Sequence, residues 1–359
     1  MIEQINQLDD GIYFDLDEET YFAQHRLSNS GIKLMRQSPM DFWVRSWLNE
    51  TPLPAGDDDS FAKTLGTAYH KRIVEGKDVF NRRFVRKLDP NDYPSALVSH
   101  NDLKARCKSL DLKVGGSKDD LTQRLLDHYD SPGEAGDEVE IFDRILSAYG
   151  RDHANKTYLA DDTILRIEAA AQMLNRHPQL CKAFDGGEPE VSVLWTDQDT
   201  DVPMKARFDY LKPNAIVDLK SFSNPHGKPV SIAVATTVAN YKYQSQVAVY
   251  LEAADQLPAL LDRVHPPKDG DTKEFAEWIK MAVEPQKDFL FVFQQTGVAP
   301  VTVARIFPRN LTYDVARIQM RQAIIMFAEY TRHFGDKPWI EETEIESFTD
   351  EDFPAYINE

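Results

Sequence analysis

Cysteine is nearly absent: Cys107 and Cys181 are the only two in 359 residues. Two thiols cannot supply a disulfide framework, a four-thiolate zinc centre or an iron-sulfur cluster held by four cysteines. The usage suits a reducing compartment, and the chain reads as cytoplasmic. Long apolar runs are missing too, since no stretch reaches the roughly 18 uncharged apolar residues that a membrane helix requires. The N-terminus, MIEQINQLDDGIYFDLDEE, is acidic where a secretory signal is basic and then apolar. Basic charge is in deficit, with 41 Lys and Arg against 59 Asp and Glu and a net charge of −18. Such a body does not attract DNA indiscriminately, because phosphate binding rests on Lys and Arg. Any nucleic-acid site must be local.

What is present is a chain of which 42% is hydrophobic, enough to bury one large core or two smaller ones. Ser38-Pro39-Met40-Asp41 offers a cap, a proline at the first helical position and a carboxylate three residues after the cap, so two short helices should meet near Ser38. TPLPAGDDDS (51–60) reads as a loop, and 61–76 as a helix with Leu65, Tyr69 and Ile73 at helical spacing and His70 near its middle. No period is evident over 77–97. Two capping boxes, Ser99 with Asp102 and Ser117 with Asp120, then open a pair of short helices, and SPGEAGDE (131–138) reads as a linker. Helical patterns follow at about 139–150 and 161–176. Residues 190–197, 202–211 and 215–221 have the β-branched content and turns of a three-stranded meander. The pattern returns to helix over 237–254. A Pro- and charge-rich stretch (255–285) precedes a strand pair, DFLFVFQQ and PVTVARIF, and a long helix over 311–334.

The segment ARFDYLKPNAIVDLKSF carries the chemistry. Strand side chains alternate faces, so Asp218 and Lys220 point one way and Leu219 the other. A pairing that sets Asp209 beside Asp218 places two carboxylates and an ammonium on one small surface. Carboxylate oxygens suit a hard cation such as Mg²⁺, with Mn²⁺ able to substitute, and such a site suits phosphodiester hydrolysis. Spacing alone also fits a solvated strand edge, a helical His70 fits a structural residue, and Tyr250 fits core packing.

Together, GTAYH (66–70), EVSVLWTD (190–197), ARFDYL (206–211), IVDLKS (216–221) and YKYQSQVAVYL (241–251) occur in the order seen in the RecE-type exonucleases of the PD-(D/E)XK superfamily, and LSNSGIKLMRQSPMDFW resembles that family's opening segment. The resemblance covers about residues 20–100 and 139–340. It implies that His70, Asp209 and Asp218 bind metal, that Lys220 is the catalytic lysine, that Glu190 fills the acidic position opening the preceding strand, and that Gln246 and Tyr250 form the QxxxY motif flanking the site. Two departures stand out: Phe208 and Tyr210 flank Asp209 where polar neighbours are expected, and 255–285 is longer than usual. DLKARCKSLDLKVGGSKDDLTQRLLDH is similar to the SAP motif. That similarity implies DNA contact through Lys113, Lys118 and Arg124, although six Lys and Arg balanced by six Asp in residues 98–130 also fit a packing or protein-interaction appendage.

The expected architecture is α/β: a PD-(D/E)XK core with a mixed central sheet over 190–221 and 289–307, flanked by the His70 helix, the QxxxY helix and the C-terminal helix. Residues 1–97 form the N-terminal part of the nuclease domain, 98–130 the SAP-like insertion, 131–340 the nuclease core and 341–359 an acidic tail. The resemblance implies an exodeoxyribonuclease acting on ends of linear double-stranded DNA, 5′ to 3′, leaving 3′ strands for a single-strand annealing protein in recombination. It also implies a ring of four subunits and a bacterial or phage-infected cell. The alternatives are a structure-specific or defence endonuclease, and a DNA-binding assembly protein with a decayed site.

Overall fold

The computed structural model describes residues 7–51, 61–130, 139–267, 272–283, 286–342 and 347–353. The loop expected over 51–60 and the linker expected over 131–138 lie outside them, but for Thr51, as do residues 343–346 and 354–359 of the tail. The chain divides into two compact units: Met1–Lys63, Pro178–Gln295 and Thr302–Glu359 form the first, and Thr64–His177 with Thr296–Val301 the second. Among the described residues no helix is long and apolar enough to cross a membrane.

In chain order come β1 (Gly11–Tyr13), α1 (Glu18–Ala23), α2 (Asn29–Gln37) and α3 (Pro39–Arg45). Next are α4 (Phe61–Ile73), α5 (Lys77–Arg83), β2 (Phe84–Arg86), α6 (His100–Ser109), α7 (Lys118–Tyr129), α8 (Phe142–Asp152), β3 (Thr157–Leu159) and α9 (Asp161–Arg176). The chain continues through β4 (Glu188–Thr196), β5 (Pro203–Leu211), β6 (Ala215–Phe222), α10 (Val230–Asn240), α11 (Tyr243–Asp255) and β7 (Val264–His265). It ends with α12 (Thr272–Val283), β8 (Asp288–Gln295), β9 (Thr302–Ile306) and α13 (Leu311–Phe334).

The first unit is built on a seven-stranded sheet in the order β7-β1-β4-β5-β6-β8-β9. The expected meander is its middle. The sheet is mixed because β6 and β8 run parallel, as their helical crossover through α10 and α11 requires, and β1 and β7 are also parallel; the other pairs are antiparallel. Helix α11 packs on β4 and β5, with α2 and α13 against it, around a core that includes Val191, Phe208, Val247, Phe291 and Phe327. Ser38 closes α2 and caps α3 through its hydroxyl, as the sequence suggested.

Two expectations needed revision. The helix expected over 237–254 is two helices, parted at Tyr241 and Lys242, the latter in the left-handed region with φ 52°. The stretch 255–285 holds β7 and α12. Its charged residues mask the apolar face of α12, where Ile279, Ala282 and Val283 are buried and Phe275 and Trp278 meet Phe14 edge-on.

In the second unit, α4, α5, β2, β3 and α9 share a core of Tyr69, Phe80, Phe84, Leu159 and Ile167. The α6–α7 pair has its own, made by Leu103, Cys107, Leu121, Leu125 and Ile141. Both expected capping boxes are formed. Each fully buried leucine contributes roughly 1.5–3 kcal/mol, which lets so short a helix pair hold together.

Candidate active site

Strand register sets three carboxylate-bearing residues at neighbouring positions of β4, β5 and β6. Pro189 pairs with Tyr210 and Val191 with Phe208, so Glu190 falls opposite Asp209; Tyr210 pairs with Val217, so the next step of that register sets Asp209 opposite Asp218. Gly187 pins this register, because a Cβ there would lie 2.2 Å from the Leu211 carbonyl oxygen. At the row itself the ladder gives way. Glu190 adopts φ 53°, a left-handed backbone that costs a non-glycine residue roughly 1–2 kcal/mol. Beyond Tyr210, β6 leaves β5, and the Leu219 N–H donates to Asp209 Oδ2 at 2.9 Å instead of to a backbone carbonyl. The carboxylates thus stand where two strands part, a place where a sheet can spare side-chain oxygens. Strained backbone of this kind collects at functional sites.

Asp218 is fully buried, and Lys220 shares its face as strand alternation requires, with Nζ 2.6 Å from Asp218 Oδ2. From α11, Gln246 Nε2 donates to Asp218 Oδ1 at 2.5 Å. Burial by itself would push Lys220 down; the charges of Asp218 and Asp209, with the hydrogen bond to Asp218, outweigh it and hold the ammonium above its ordinary value. Tyr250, one turn beyond Gln246, packs edge-on against Phe208 at 5.6 Å. Burial first, then Tyr21, Asp209 and Asp218, keep its phenol well above the usual value, with a Gln246 hydrogen bond acting the other way. The unexpected apolar neighbours of Asp209 are explained by their contacts. Phe208 is core, and the Tyr210 hydroxyl accepts from the Gly187 N–H at 3.1 Å.

A cavity of about 840 Å³ opens within this unit, lined by Glu190, Asp209, Gln246 and Tyr250 together with Arg26, Arg45, Lys205 and Arg207. An acidic chain thus has a local cationic wall, and sequence reasoning passed over it. The signal was the alternation Lys205, Arg207, Asp209, which puts all three on one face of β5. Arg207 lies 3.6 Å from Glu190 and 4.1 Å over the Tyr21 ring. Lys205 donates to the carbonyls of Tyr21, Phe22 and Gln24 at the end of α1, and burial, then Arg207 and Arg26, push it down to about 8. Lys33 on α2 is likewise pushed down to about 8, by burial first and then by Lys220 and Lys242.

The second unit holds the remaining sequence candidates. His70 Nδ1 lies 3.4 Å from Glu75 Oε1, and Lys71 reaches the same carboxylate at 2.8 Å. On the α6–α7 pair, Lys118 pairs with Asp143 at 2.6 Å, and the Arg124 guanidinium donates to the carbonyls of Lys113 and Gly115. The Lys113 side chain itself is exposed.

Residues 125–261 match the family described as "PDDEXK-like domain of unknown function (DUF3799)". That span includes Glu190, Asp209, Asp218, Lys220, Gln246 and Tyr250 and leaves His70 outside. The chain carries a PDDEXK-like domain. Residues 97–130 match the SAP domain, so the α6–α7 pair is the SAP unit that its capping boxes and basic residues resembled. The PDDEXK-like segment spans β4, β5, β6, α10 and α11 of the first unit, and the SAP segment spans α6 and α7. A search of curated proteins found no match. Among solved structures, the crystal structure of a "putative exonuclease" from Eubacterium rectale aligns over 87% of this chain and 86% of that chain, at 14% identity and a TM-score of 0.37.

Proposed function

We propose that the chain is a metal-dependent exodeoxyribonuclease that resects linear double-stranded DNA, 5′ to 3′, in the manner of the RecE-type exonucleases it resembles. The observation that carries this reading is the row Glu190, Asp209, Asp218 with Lys220 paired to its buried end, inside the PDDEXK-like span. Asp209 and Asp218 are the oxygen donors that would hold a divalent cation, and the donor set fits a hard ion such as Mg²⁺, or Mn²⁺ in its place. Gln246 donates to Asp218 Oδ1 and Lys220 faces Oδ2, and a carboxylate offers about four lone-pair sites in all. When bound, such an ion activates water and neutralises charge on the phosphodiester.

The protein's own part is to aim and to neutralise. Gln246 fixes the rotamer of Asp218, and Lys220 holds a positive charge where negative charge develops in the transition state. Tyr250 walls the cavity, and the cations of its lining draw the phosphate backbone inward against the repulsion of the acidic exterior. By resemblance, His70 joins the metal ligands, four subunits form a ring, and a single-strand annealing protein takes the product in phage or bacterial recombination; of the three SAP candidates for duplex phosphate contact, the exposed Lys113 is the one left to make it, since Arg124 is held by its own loop and Lys118 by Asp143.

Digestion of a linear duplex labelled at either 5′ or 3′ ends, with Mg²⁺ and with EDTA, beside a closed circle, tests the reading. Early Mg²⁺-dependent release of the 5′ label with an intact circle is expected. Cutting of the circle would replace the exonuclease by an endonuclease, and no cutting with any divalent metal would leave a DNA-binding assembly role.

A further inference from the structure

The break between α10 and α11 does something that helical continuity would prevent. Lys242, at φ 52° and ψ 49°, turns the chain through a left-handed residue, and the rings on either side of it, Tyr241 and Tyr243, stack with centroids 5.7 Å apart and planes 15° from parallel. Tyr243 stacks in turn on Phe291, at 5.7 Å and 29°. The three rings form a column. Its inner end, Phe291, is 1% exposed and anchored in the core; its outer end, Tyr241, is 62% exposed. A ring so open to water adds little to the core, yet a strained lysine backbone holds it in place.

The column is joined to the candidate site at its middle. The Lys220 ammonium lies 5.2 Å from the Tyr243 ring centroid, and Lys33 Nζ donates to the Tyr241 carbonyl oxygen at 2.8 Å. Lys242 is exposed beside the outer ring. An open aromatic face among ammonium groups is the combination that binds a flexible nucleic-acid strand: the ring takes a base by stacking and the cations take its phosphates. A hydrophobic ligand would not need the lysines, and a duplex groove offers no free base face.

We propose that Tyr241 is a stacking platform for an unpaired nucleobase close to the scissile phosphate. The ligand class is a single-stranded end, peeled from the duplex as it enters the site. The assignment rests on the nuclease reading above and deepens it by giving the substrate's end a base-binding subsite. Tyr243 positions the platform and couples it to Lys220.

The test is binding of the full chain, in EDTA, to blunt duplexes carrying an abasic residue at each of the last three positions of either strand in turn. The wild-type protein should bind the intact end more tightly than one of these abasic ends, by about 5- to 150-fold, the equivalent of one base stack. Tyr241→Ala should erase that discrimination and leave the salt dependence of binding in place, and Tyr241→Phe should keep it. Since Tyr241 is exposed, the alanine variant is expected to fold, and an unchanged thermal melt checks this. Binding with no discrimination at any position would overturn the platform and leave the nuclease reading standing. Discrimination that survives in Tyr241→Ala would overturn it as well. No binding to any probe, together with no metal-dependent cutting, would overturn both.

Discussion

The carboxylate row of β4, β5 and β6 and the basic residues of the SAP helix pair were both found as short signatures, but the two regions hold their charges in opposite ways. In the sheet, Asp218 is fully buried and both of its oxygens have partners from other positions, Lys220 on the same strand and Gln246 on α11. In the helix pair, Arg124 is turned back onto its own loop and Lys118 onto Asp143. A buried charge must be bound by its surroundings or it is not tolerated, so its geometry is fixed. A surface charge on a small unit with little core is spent on holding a turn. The comparison teaches that a charged motif residue is a better guide to chemistry when burial forces it to converge with others than when it can satisfy itself locally.

Breaking the row should have the largest effect. Asp218→Asn keeps the shape and the acceptor for Gln246 but removes the charge; metal-dependent cutting should fall by roughly three orders of magnitude or more, and the thermal melt should drop as well because Lys220 loses its counter-ion. Lys220→Ala is a harsher change, because it leaves a buried carboxylate uncompensated and should cost about 3–5 kcal/mol of stability as well as activity. Cutting at wild-type rates by Asp218→Asn would remove the row from catalysis.

On the SAP side the contrast sharpens into two variants with different readouts. Arg124→Ala should destabilise the helix pair by about 1.5–3 kcal/mol, seen as faster amide exchange in α6 and α7, and leave the slope of log affinity against log salt unchanged. Lys113→Ala should leave exchange unchanged and lower that slope by roughly 0.9 for one lost phosphate contact. The reverse pattern would make Arg124 the DNA contact.

A smaller effect comes from an ion pair that belongs to neither region. Asp197, just past β4, is paired with Arg321 on α13, which also reaches Asp199 at 2.8 Å. Burial would push the Asp197 carboxyl up; the Arg321 guanidinium and the Thr200 donors outweigh it and hold the carboxyl below the usual range. A folded value below the unfolded one means that the stabilisation is complete above about pH 5 and is lost as pH falls through the unfolded value near 3.9 towards the folded one. Melting temperature followed from about pH 6 to pH 2 should therefore fall less steeply in Arg321→Gln than in the wild type. Parallel curves would show that the pair adds nothing.

Much of the fold could be read along the chain where the signal was local. Both capping boxes of the SAP pair and the shared cap at Ser38 are formed as expected, because each is closed by residues three apart. The meander appeared from its alternation and turns. The strands β1 and β7 were missed, being three and two residues long and held only by their neighbours in the sheet. Helix α12 was hidden by charges between its apolar positions. The break at Lys242 had no signal, since lysine is an ordinary helix former and only packing makes the left-handed turn worthwhile. At the site, the face shared by Asp218 and Lys220 followed from period two, while the position of Glu190 in the row depended on register across two ladders.

What the sequence by itself determined is therefore the set of local choices: which segments are helix or strand, where they are capped, which residues share a face, and that any DNA site in a chain of net charge −18 must be confined. These depend on neighbours within about one turn or two strand residues. Tertiary structure alone decided that Glu190, Asp209 and Asp218 form a row at the parting of β5 and β6, that Gln246 reaches Asp218 from another element, that four cations line one cavity, and that Tyr241 and Tyr243 stack beyond a broken helix. The reason is physical. A contact between residues far apart in the chain is set by the burial energy of the whole core and by the register that it selects, and neither quantity is carried by the residues that end up touching.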